Sequence, residues 1–190
     1  MPMQKTSGYL AGQLLIAMPQ MQDPRFVRSV VYLCAHSAEG AMGIMINKLF
    51  DGLTFSELLE QLDIPATPEC DQIRVHFGGP VEAGRGFVLH SDDYMHPTSM
   101  MVAEGIALTA TVDVLKAIAL GGGPRKCLLA LGYAGWSAGQ LDHEIRENSW
   151  LNVPADEQLL FGLELDDKWA AAIHKMGIDF ATLSVDAGHA

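Results

Sequence analysis

The chain has 190 residues, of which 49% are hydrophobic, and its 12 Lys and Arg against 23 Asp and Glu give a formal net charge of −11. This length allows one core that buries about 70% of the unfolded surface, so we expect a single domain over residues 1–190. The negative charge disfavours sequence-independent nucleic-acid binding, and the longest apolar runs are much shorter than the ~18 residues that span a bilayer.

The beginning of the chain, MPMQKTSGYLAGQLLIAM, lacks the basic-then-apolar order and the small-residue cleavage site of a secretion signal. We therefore expect a cytoplasmic protein without membrane contact. Its three cysteines, Cys34, Cys70 and Cys127, are an odd number at wide spacing, unlike a zinc site or a disulfide framework. They are predicted to be reduced thiols.

The first third of the chain predicts a strand followed by a hairpin. Residues Gln13–Ala17 form an apolar strand that ends before Pro19, because proline cannot donate to a strand ladder. Ser29–His36 and Met42–Lys48 are apolar runs on either side of the turn-rich segment Ser37–Ala41. These two runs should pair in antiparallel fashion.

The next segment predicts a short helix and a second hairpin. Thr54 and Glu57 have the spacing of a capping box, and leucines follow at helical spacing, so Thr54–Leu62 is predicted to be an amphipathic helix. Ile73–Gly79 and Gly86–His90 are two further strands around a glycine-rich connection that can bend sharply. We expect these two strands to pair.

The second half alternates strands and helices. Met100–Ala110 predicts two short strands with a turn at Gly105, and Val112–Gly121 predicts a helix capped by the preceding threonine. Lys126–Gly132 is a buried strand, and Asp166–Gly177 is predicted to be a last helix with an N-cap aspartate and a terminal glycine.

The stretch GYAGWSAGQLDHEI, Gly132–Ile145, places three glycines and a tryptophan between the buried strand and a charged segment. Ser137 and Gln140 have the spacing of a capping box, which predicts a helix that starts at Ala138. Free N–H groups at this helix start would point at the strand end and favour an anion. Alternatively, the glycines only allow Trp136 to pack under a neighbouring strand. No Walker A or GxGxxG spacing is present, and we expect no cofactor.

The predicted helix has one apolar face, to which Leu141 belongs. Gln140 and Glu144 fall beside that face, which predicts that both are half-buried and directed into a groove or an interface. Asp142 and Arg146 are predicted to form an exposed pair one helical turn apart.

Cys34 and His36 form the one candidate reactive pair. They alternate by two on a predicted strand and would share a face, where an imidazolium lowers the pKa of a thiol and makes it reactive. The alternative is an inert buried thiol beside a hydrogen-bonded histidine. His76 and His90 would approach each other across the second hairpin, but no ligand spacing demands a metal site, and we expect no metal.

Four blocks of the chain resemble the YqgE/AlgH family of bacterial proteins, in the order of that family. They are LAGQLLIAMPQMQDPRFVRSVVYLCAHSAEGAMGIMINK (Leu10–Lys48), FGGPVEAGRGFVLH (Phe77–His90), GYAGWSAGQLDHEIRENSWL (Gly132–Leu151) and the terminal GHA (Gly188–Ala190). The family motif positions in this chain are Asp23, Phe26, His36, Gly40, Gly43, Asn47, Gly78, Gly79, Pro80, Gly86, His90, Gly132, Gly135, Trp136, Gly139, Gln140, Glu144 and Trp150.

The resemblance implies a compact α+β domain with a bent or bifurcated, largely antiparallel sheet, similar to a barrel and packed with helices. It also implies an unsettled activity and a transcriptional-regulator label that does not establish contact with DNA. The family resemblance assigns a catalytic role to none of the motif positions. From them and their neighbours we infer a ligand-binding set: Gly78, Gly79, Pro80, Gly132, Gly135, Trp136, Ser137, Gly139, Gln140 and Glu144.

Two functions remain open at this point. One is a binding or regulatory module for a small ligand or a protein partner, with any transcriptional effect indirect. The other is an enzyme of unknown reaction, with a thiol at Cys34 beside His36. Direct DNA binding is not expected, because the predicted helices are separated by strands, unlike a helix-turn-helix, and four basic candidates neutralise few phosphates. We further predict that Gly78–Gly86 and Gly132–Gln140 converge and that Trp136 is largely buried.

Overall fold

The computed structural model describes residues 9–162 and 164–175. The predicted end of the last helix at Gly177 and the block Gly188–Ala190 lie outside the described residues. The strands within them are β1 (Gln13–Ala17), β2 (Val30–Ser37), β3 (Gly40–Met45), β4 (Val75–Phe77), β5 (Val81–Ser91), β6 (Met100–Ala103), β7 (Ile106–Thr109), β8 (Cys127–Ser137) and β9 (Trp150–Pro154). The α-helices are α1 (Phe55–Gln61), α2 (Val112–Ala119), α3 (Gln140–Arg146) and α4 (Leu165–Lys175).

The strands join in one sheet in the order β6-β7-β5-β8-β3-β2-β1-β9, and β4 pairs with β8 outside this path. All pairings are antiparallel except that of β4 with β8. The hairpin of β2 and β3 and the short pair β6 and β7 confirm the sequence predictions. Strand β9, which pairs with β1, was not predicted.

The sheet buries side chains on both of its faces. On one face, which we call the α4 face, Trp169 and Ile173 of α4 pack into a core that extends from β1 to β8. On the opposite face, Phe55 of α1 and Leu115 of α2 pack at one end, and Leu141 of α3 packs at the other end. Of these helix residues, Leu141 was predicted on an apolar face from its helical spacing.

The helix starts follow local capping chemistry to different extents. Helix α1 begins with the predicted capping box, in which the Thr54 side chain accepts from Glu57 N and the Glu57 side chain accepts from Thr54 N. Helix α4 begins at Leu165, so the aspartates that follow occupy its first turn and do not cap it. A 3₁₀ turn over Pro68–Gln72 and a π-helical turn over Gln158–Gly162 complete the described helical segments.

The predicted second hairpin is wrong. Strands β4 and β5 do not pair with each other, because both pair with β8, one on each side of it. The chain passes from one side to the other at Gly78 and Gly79, where it crosses the backbone of β8. Local sequence pattern did not reveal this arrangement, because the partner strand lies about fifty residues further along the chain.

The predicted helix start after Gly132 is also wrong. Strand β8 continues through Gly132 and Gly135 to Ser137, and α3 starts only at Gln140, with Gly139 as its N-cap at φ +75°. The side-chain half of the predicted capping box is nevertheless present, since Ser137 N donates to Gln140 Oε1 at 2.9 Å. This bond occupies an N–H group that the anion hypothesis required to be free.

Candidate ligand-binding groove

A close backbone crossing brings the two predicted glycine-rich segments together. Gly78 N donates to Leu131 O at 2.7 Å, and Val81 pairs with Tyr133 across the sheet. A Cβ atom on Gly132, which has φ +79°, would lie 2.3 Å from Gly79 O, so a side chain does not fit there. The predicted convergence of Gly78–Gly86 with Gly132–Gln140 is therefore confirmed.

The glycines of the crossing support the site without lining it. Gly78, Gly79 and Gly132 are buried, and none of them borders an opening described below. Ser137 and Gly139 are exposed, and they also lie outside the lining of these openings. Gly132 packs against the backbone of Gly79, Val81 and Ala83, and not against Trp136 as the sequence alternative stated.

Trp136 and Trp150 share one carboxylate acceptor. Trp136 Nε1 donates to Glu144 Oε1 at 3.0 Å, and Trp150 Nε1 donates to the same oxygen at 2.9 Å. The second oxygen, Oε2, accepts from Gln140 Nε2 at 2.8 Å. The indole rings meet edge to face with centroids 5.8 Å apart, an arrangement that the aromatic quadrupoles favour.

The exposures of these side chains test the sequence predictions. Trp136 is only 7% exposed and Trp150 is 1% exposed, which confirms the prediction that Trp136 is buried. Glu144 is half-buried as predicted, but Gln140 is exposed. Gln140 faces solvent because α3 starts two residues later than predicted, which places Gln140 in the first position of the helix.

Five predicted site residues border an opening of about 300 Å³. They are Pro80, Gly135, Trp136, Gln140 and Glu144. The rest of its lining comes from the chain before β2, from Val81 and from the start of β9, and includes Asp23, Arg25, Phe26 and Trp150. Phe26 packs edge to face on Trp150 at 5.7 Å between centroids, and thereby extends the aromatic wall.

A second, shallower opening of about 690 Å³ adjoins the first. The two openings share Val81, Gly135 and Trp136, and we call the two adjoining openings together the tryptophan groove. The second opening adds Tyr133, Phe87 and the charged residues Glu39 and Arg85. Phe87 and Tyr133 pack on the α4 face, whereas Trp136 packs on the opposite face beside α3.

The groove carries charges of both signs. Asp23 Oδ2 accepts from Arg25 Nη2 at 2.7 Å, and this hydrogen bond holds the pKa of the Asp23 carboxyl below its usual value. Arg85 lies 5.1 Å from the Phe87 ring centroid, as a cation above an aromatic face. The Glu144 carboxylate accepts the three hydrogen bonds described above.

Arg25, Arg85 and Glu39 were missed as groove residues by the sequence analysis. Nothing in their local sequence distinguishes them from solvated surface charges. Phe26 and Trp150 were matched as family motif positions, but their place in this groove required the structure. The only local signal was the aromatic character of both residues close to the predicted turns.

Cys34 and His36 do not form the predicted pair. A bulge in β2 between Leu33 and Ala35 adds one residue relative to β3, so the alternation of sides changes between Cys34 and His36. Cys34 packs into the core of the α4 face and donates to Tyr32 O at 3.6 Å. Burial raises the pKa of the Cys34 thiol to about 12, which favours the unreactive protonated form.

His36 instead links three segments on the other side of the sheet. Its Nδ1 accepts from Leu10 N at 3.0 Å, and its side chain is only 1% exposed. Its Nε2 lies 3.3 Å from Asp142 Oδ1 of α3. Asp142 therefore faces His36, and the predicted surface pair of Asp142 with Arg146 is wrong.

Within residues 9–162 and 164–175, no group of three or more His, Cys, Asp or Glu side chains is arranged to hold a metal ion. His76 Nδ1 donates to Leu129 O at 2.9 Å, whereas His90 bonds Thr109 and the Ser91 carbonyl. The predicted approach of His76 and His90 does not occur, because β4 and β5 lie on opposite sides of β8. None of the described helices has the length and apolar character to cross a bilayer.

The fold and the groove define an α+β protein with a curled, largely antiparallel half-barrel sheet and packed helices. The chain belongs to the AlgH-like family, whose model matches residues 14–181. This confirms the resemblance seen in the sequence blocks.

Related proteins match nearly the whole chain. A UPF0301 protein of Rhodospirillum rubrum is 56% identical over 188 residues, which cover 99% of this chain and 98% of that protein. A UPF0301 protein of Nitrobacter hamburgensis is 54% identical over 192 residues, which cover 96% of this chain and 88% of that protein. These names state no ligand, substrate or reaction.

Two solved structures have the same fold. The solution structure of the AlgH protein from Pseudomonas aeruginosa matches with a TM-score of 0.80 and 43% identity, and covers 100% of both chains. A crystal structure of a Corynebacterium diphtheriae protein matches with a TM-score of 0.71 and 18% identity, and covers 91% of this chain and 90% of that chain. The second match supports the fold alone.

Proposed function

We propose that this chain is a binding or regulatory module, and that a small ligand or a segment of a protein partner occupies the tryptophan groove. The observation that carries this proposal is the anchoring of two indoles by one carboxylate at the floor of an open depression. Trp136 and Trp150 are fixed by Glu144, so the walls are preformed, as in most ligand sites. A preformed site loses little entropy when its partner binds.

The shape of the groove favours a segment of a protein partner over a compact ligand. Two openings adjoin, and aromatic side chains line them together with Arg25, Arg85 and Glu39. Interfaces between proteins are enriched in tryptophan, tyrosine and arginine in this way. Gly135 is exposed between the two openings and leaves the strand backbone open to an approaching chain.

The three tryptophans allow a direct test with an internal control. Trp136 and Trp150 report on the groove, whereas Trp169 donates its indole N–H to Ala17 O at 2.7 Å on the α4 face. We would follow the three indole resonances of ¹⁵N-labelled protein against nucleotides, sugar phosphates, metals and short peptides. A groove ligand is expected to shift the Trp136 and Trp150 signals and leave that of Trp169 in place.

Two arginine variants serve as the test and the control for this experiment. Arg85→Ala removes a groove cation and is expected to weaken binding several-fold, whereas Arg146→Ala on the exposed side of α3 should leave it unchanged. A ligand that stabilises the protein without moving either groove indole contradicts the assignment of the site. Equal affinity in the Arg85→Ala variant and the parent protein contradicts the role of Arg85.

Any transcriptional effect is proposed to be indirect, through such a partner. Arg25, Arg125 and Lys126 lie 2.7, 3.7 and 2.8 Å from carboxylate oxygens, which offset their positive charge, and Arg28 lies over the Trp169 ring. We expect no binding of duplex DNA by the purified protein at ~150 mM salt. Retention of a promoter fragment that resists excess competitor DNA contradicts this expectation.

The alternative of a thiol enzyme at Cys34 has no specific support in the site. The thiol is buried, and the bulge in β2 separates it from His36. The binding module is therefore the function that we carry forward.

A further inference from the structure

A second cavity, outside the tryptophan groove, contains a buried lysine. Lys168 of α4 is only 2% exposed, and its ammonium donates to Ile46 O at 3.0 Å and to Leu160 O at 2.7 Å. An ammonium has three donors, so these two carbonyls leave one donor available. Among the described residues, no carboxylate oxygen lies within ion-pair distance of the Lys168 nitrogen.

The Leu160 carbonyl, which accepts from Lys168, belongs to an unusual helical turn. Leu160 lies in the π-helical turn Gln158–Gly162, and this kind of turn often marks functional sites. Lys168 thereby joins the turn to the end of β3, since Ile46 follows β3 directly. These bonds hold the ammonium in place beside the cavity.

The neighbours of Lys168 increase the positive potential. Burial lowers the pKa of Lys168 to about 8, and the positive charge of Arg74, which borders the same cavity, adds to this effect. Burial lowers the pKa of His76 to about 4, and the charges of Lys168 and Arg74 add to this effect. Arg74 is 3.4 Å from Glu164, but both side chains are more than half exposed, so solvent screens this pair.

The cavity has room for a small molecule, and its lining is polar with apolar parts. Its volume is about 320 Å³, near the lower end of the range for ligand sites. Leu129, Leu160 and Phe161 form apolar parts of the lining, and Arg74, His76 and Lys168 supply nitrogen atoms. His76 is neutral at pH 7, so Lys168 and Arg74 are the two cationic groups of the lining.

We propose that this cavity binds a small organic anion, a carboxylate or phosphate group on a short apolar body, with Lys168 as its main contact and Arg74 at its side. A buried charge without an opposite charge is costly, and a bound anion removes that cost. The one carboxylate of the lining, Glu164, lies beside Arg74, so the positive charge of Lys168 is left without an opposite charge in the cavity. The whole chain has a net charge of −11, so the anion must enter against the long-range field. The apolar part of the lining, with Leu129, Leu160 and Phe161, contributes further affinity for the apolar body. This site is independent of the tryptophan groove.

The test uses ligands of one shape that differ in charge. Benzoate and phenyl phosphate share an apolar ring and carry the two anionic groups, and benzamide is the neutral control. At constant ionic strength, at least one of the two anions is expected to stabilise the protein saturably, with a rise in Tm of roughly 5–10 °C at about 100 times Kd. Benzamide is expected to give no comparable shift.

Variants locate the effect. Lys168→Met is expected to abolish the shift, whereas Lys116→Met, at an exposed lysine of α2, should retain it. Arg74→Gln changes an exposed side chain and is expected to weaken binding several-fold without disturbing the fold. In the unmodified protein, affinity should fall as the pH rises above about 8, because Lys168 then loses its proton.

The Arg74→Gln variant and the pH series keep the test decisive if Lys168→Met does not fold. The proposal is overturned if neither anion binds, if benzamide binds as well as the anions, or if affinity is unchanged by Arg74→Gln and by pH. It is also overturned if the anions shift the Trp136 and Trp150 indoles and leave the residues around Lys168 unperturbed. That last result would support the groove and reject the cavity.

Discussion

The tryptophan groove and the lysine cavity each place one charged side chain of a helix against the sheet, but the two charges are satisfied differently. Glu144 receives three N–H donors, two from indoles and one from an amide. Lys168 donates to two backbone carbonyls and has Arg74, a like charge, near the same cavity. A charge with complete partners fixes local structure, whereas a charge that lacks an opposite charge retains capacity for a ligand.

The two regions meet at the backbone crossing. Pro80, just after the crossing, lines the groove, and His76, just before it, lines the cavity. The glycines between them therefore determine the position of one wall of each region. The following predictions test this comparison.

Gly132→Ala is expected to disturb both regions and to have the largest effect. The residue has φ +79°, and an added Cβ atom would lie 2.3 Å from Gly79 O. Backbone strain and this contact together should lower the free energy of unfolding by about 3–5 kcal/mol. Urea denaturation measures the change.

The matched control variant is Gly84→Ala. Nothing lies within 4 Å of a Cβ atom added there, so this variant should lower the free energy of unfolding by less than about 0.5 kcal/mol. Equal stability of the two variants would show that the crossing tolerates a side chain.

The charge of Lys168 predicts that stability depends on pH in the alkaline range. The pKa of Lys168 is about 8 in the folded protein, whereas the ordinary pKa of a lysine is 10.5. Between these two pH values the unfolded chain binds a proton that the folded protein does not. The free energy of unfolding should therefore rise with pH across this window, by about 3 kcal/mol from this group. Below pH 8 both states are charged, and the cost of burying the charge is fully present.

Comparison with Lys168→Met isolates this contribution. The Cys34 thiol lowers the free energy of unfolding as the pH rises above 9. Its pKa is about 12 in the folded protein, so just above pH 9 only the unfolded chain loses this proton. The difference in unfolding free energy between the parent protein and the variant cancels the thiol contribution, since Cys34 is present in both. A difference that stays constant from pH 7 to about 10.5 contradicts the lowered pKa of Lys168.

Glu144→Ala is expected to destabilise the groove by about 2–3 kcal/mol, because two nearly buried indole N–H groups lose a charged acceptor. The indole resonances of Trp136 and Trp150 should move, and that of Trp169 should not. Glu147→Ala, at an exposed position just after α3, is the control and should change stability by less than about 0.5 kcal/mol. If both glutamate variants are equally stable, Glu144 does not anchor the tryptophans.

The smallest expected effect concerns Cys34. Brief alkylation of the native protein at neutral pH, followed by mass spectrometry, should leave Cys34 unlabelled, because the thiol is 4% exposed and protonated. Cys127, which is half-buried, should react first. Preferential labelling of Cys34 would instead restore the thiol-enzyme hypothesis.

Sequence patterns located elements whose information is local. The capping box at Thr54 fixed the start of α1, and the apolar runs around Ser37–Ala41 gave the first hairpin. The same rules failed at Ser137, where the capping spacing is present but the strand continues. Pairing with β3 up to Ser137 outweighs the local preference, and the helix begins only after the chain has left the sheet.

The candidate site was predictable in part for the same reason. Trp136 and Glu144 were found because helical periodicity and flanking glycines depend on neighbours in sequence. Their shared hydrogen bond with Trp150 was not predicted, and the bulge that separates Cys34 from His36 is set by β3. Each of these features depends on the partner strand or helix, which local patterns do not specify.

The sequence by itself determined the family, the apolar faces and the burial of Trp136, because composition, periodicity and motif order are properties of the chain alone. Only the tertiary structure decided that β4 and β5 lie on opposite sides of β8, and that Lys168 and Arg74 share a cavity. Such contacts join residues that are far apart in sequence, such as Val75 with Leu129 and Arg74 with Lys168, and they are selected by the packing of the whole sheet.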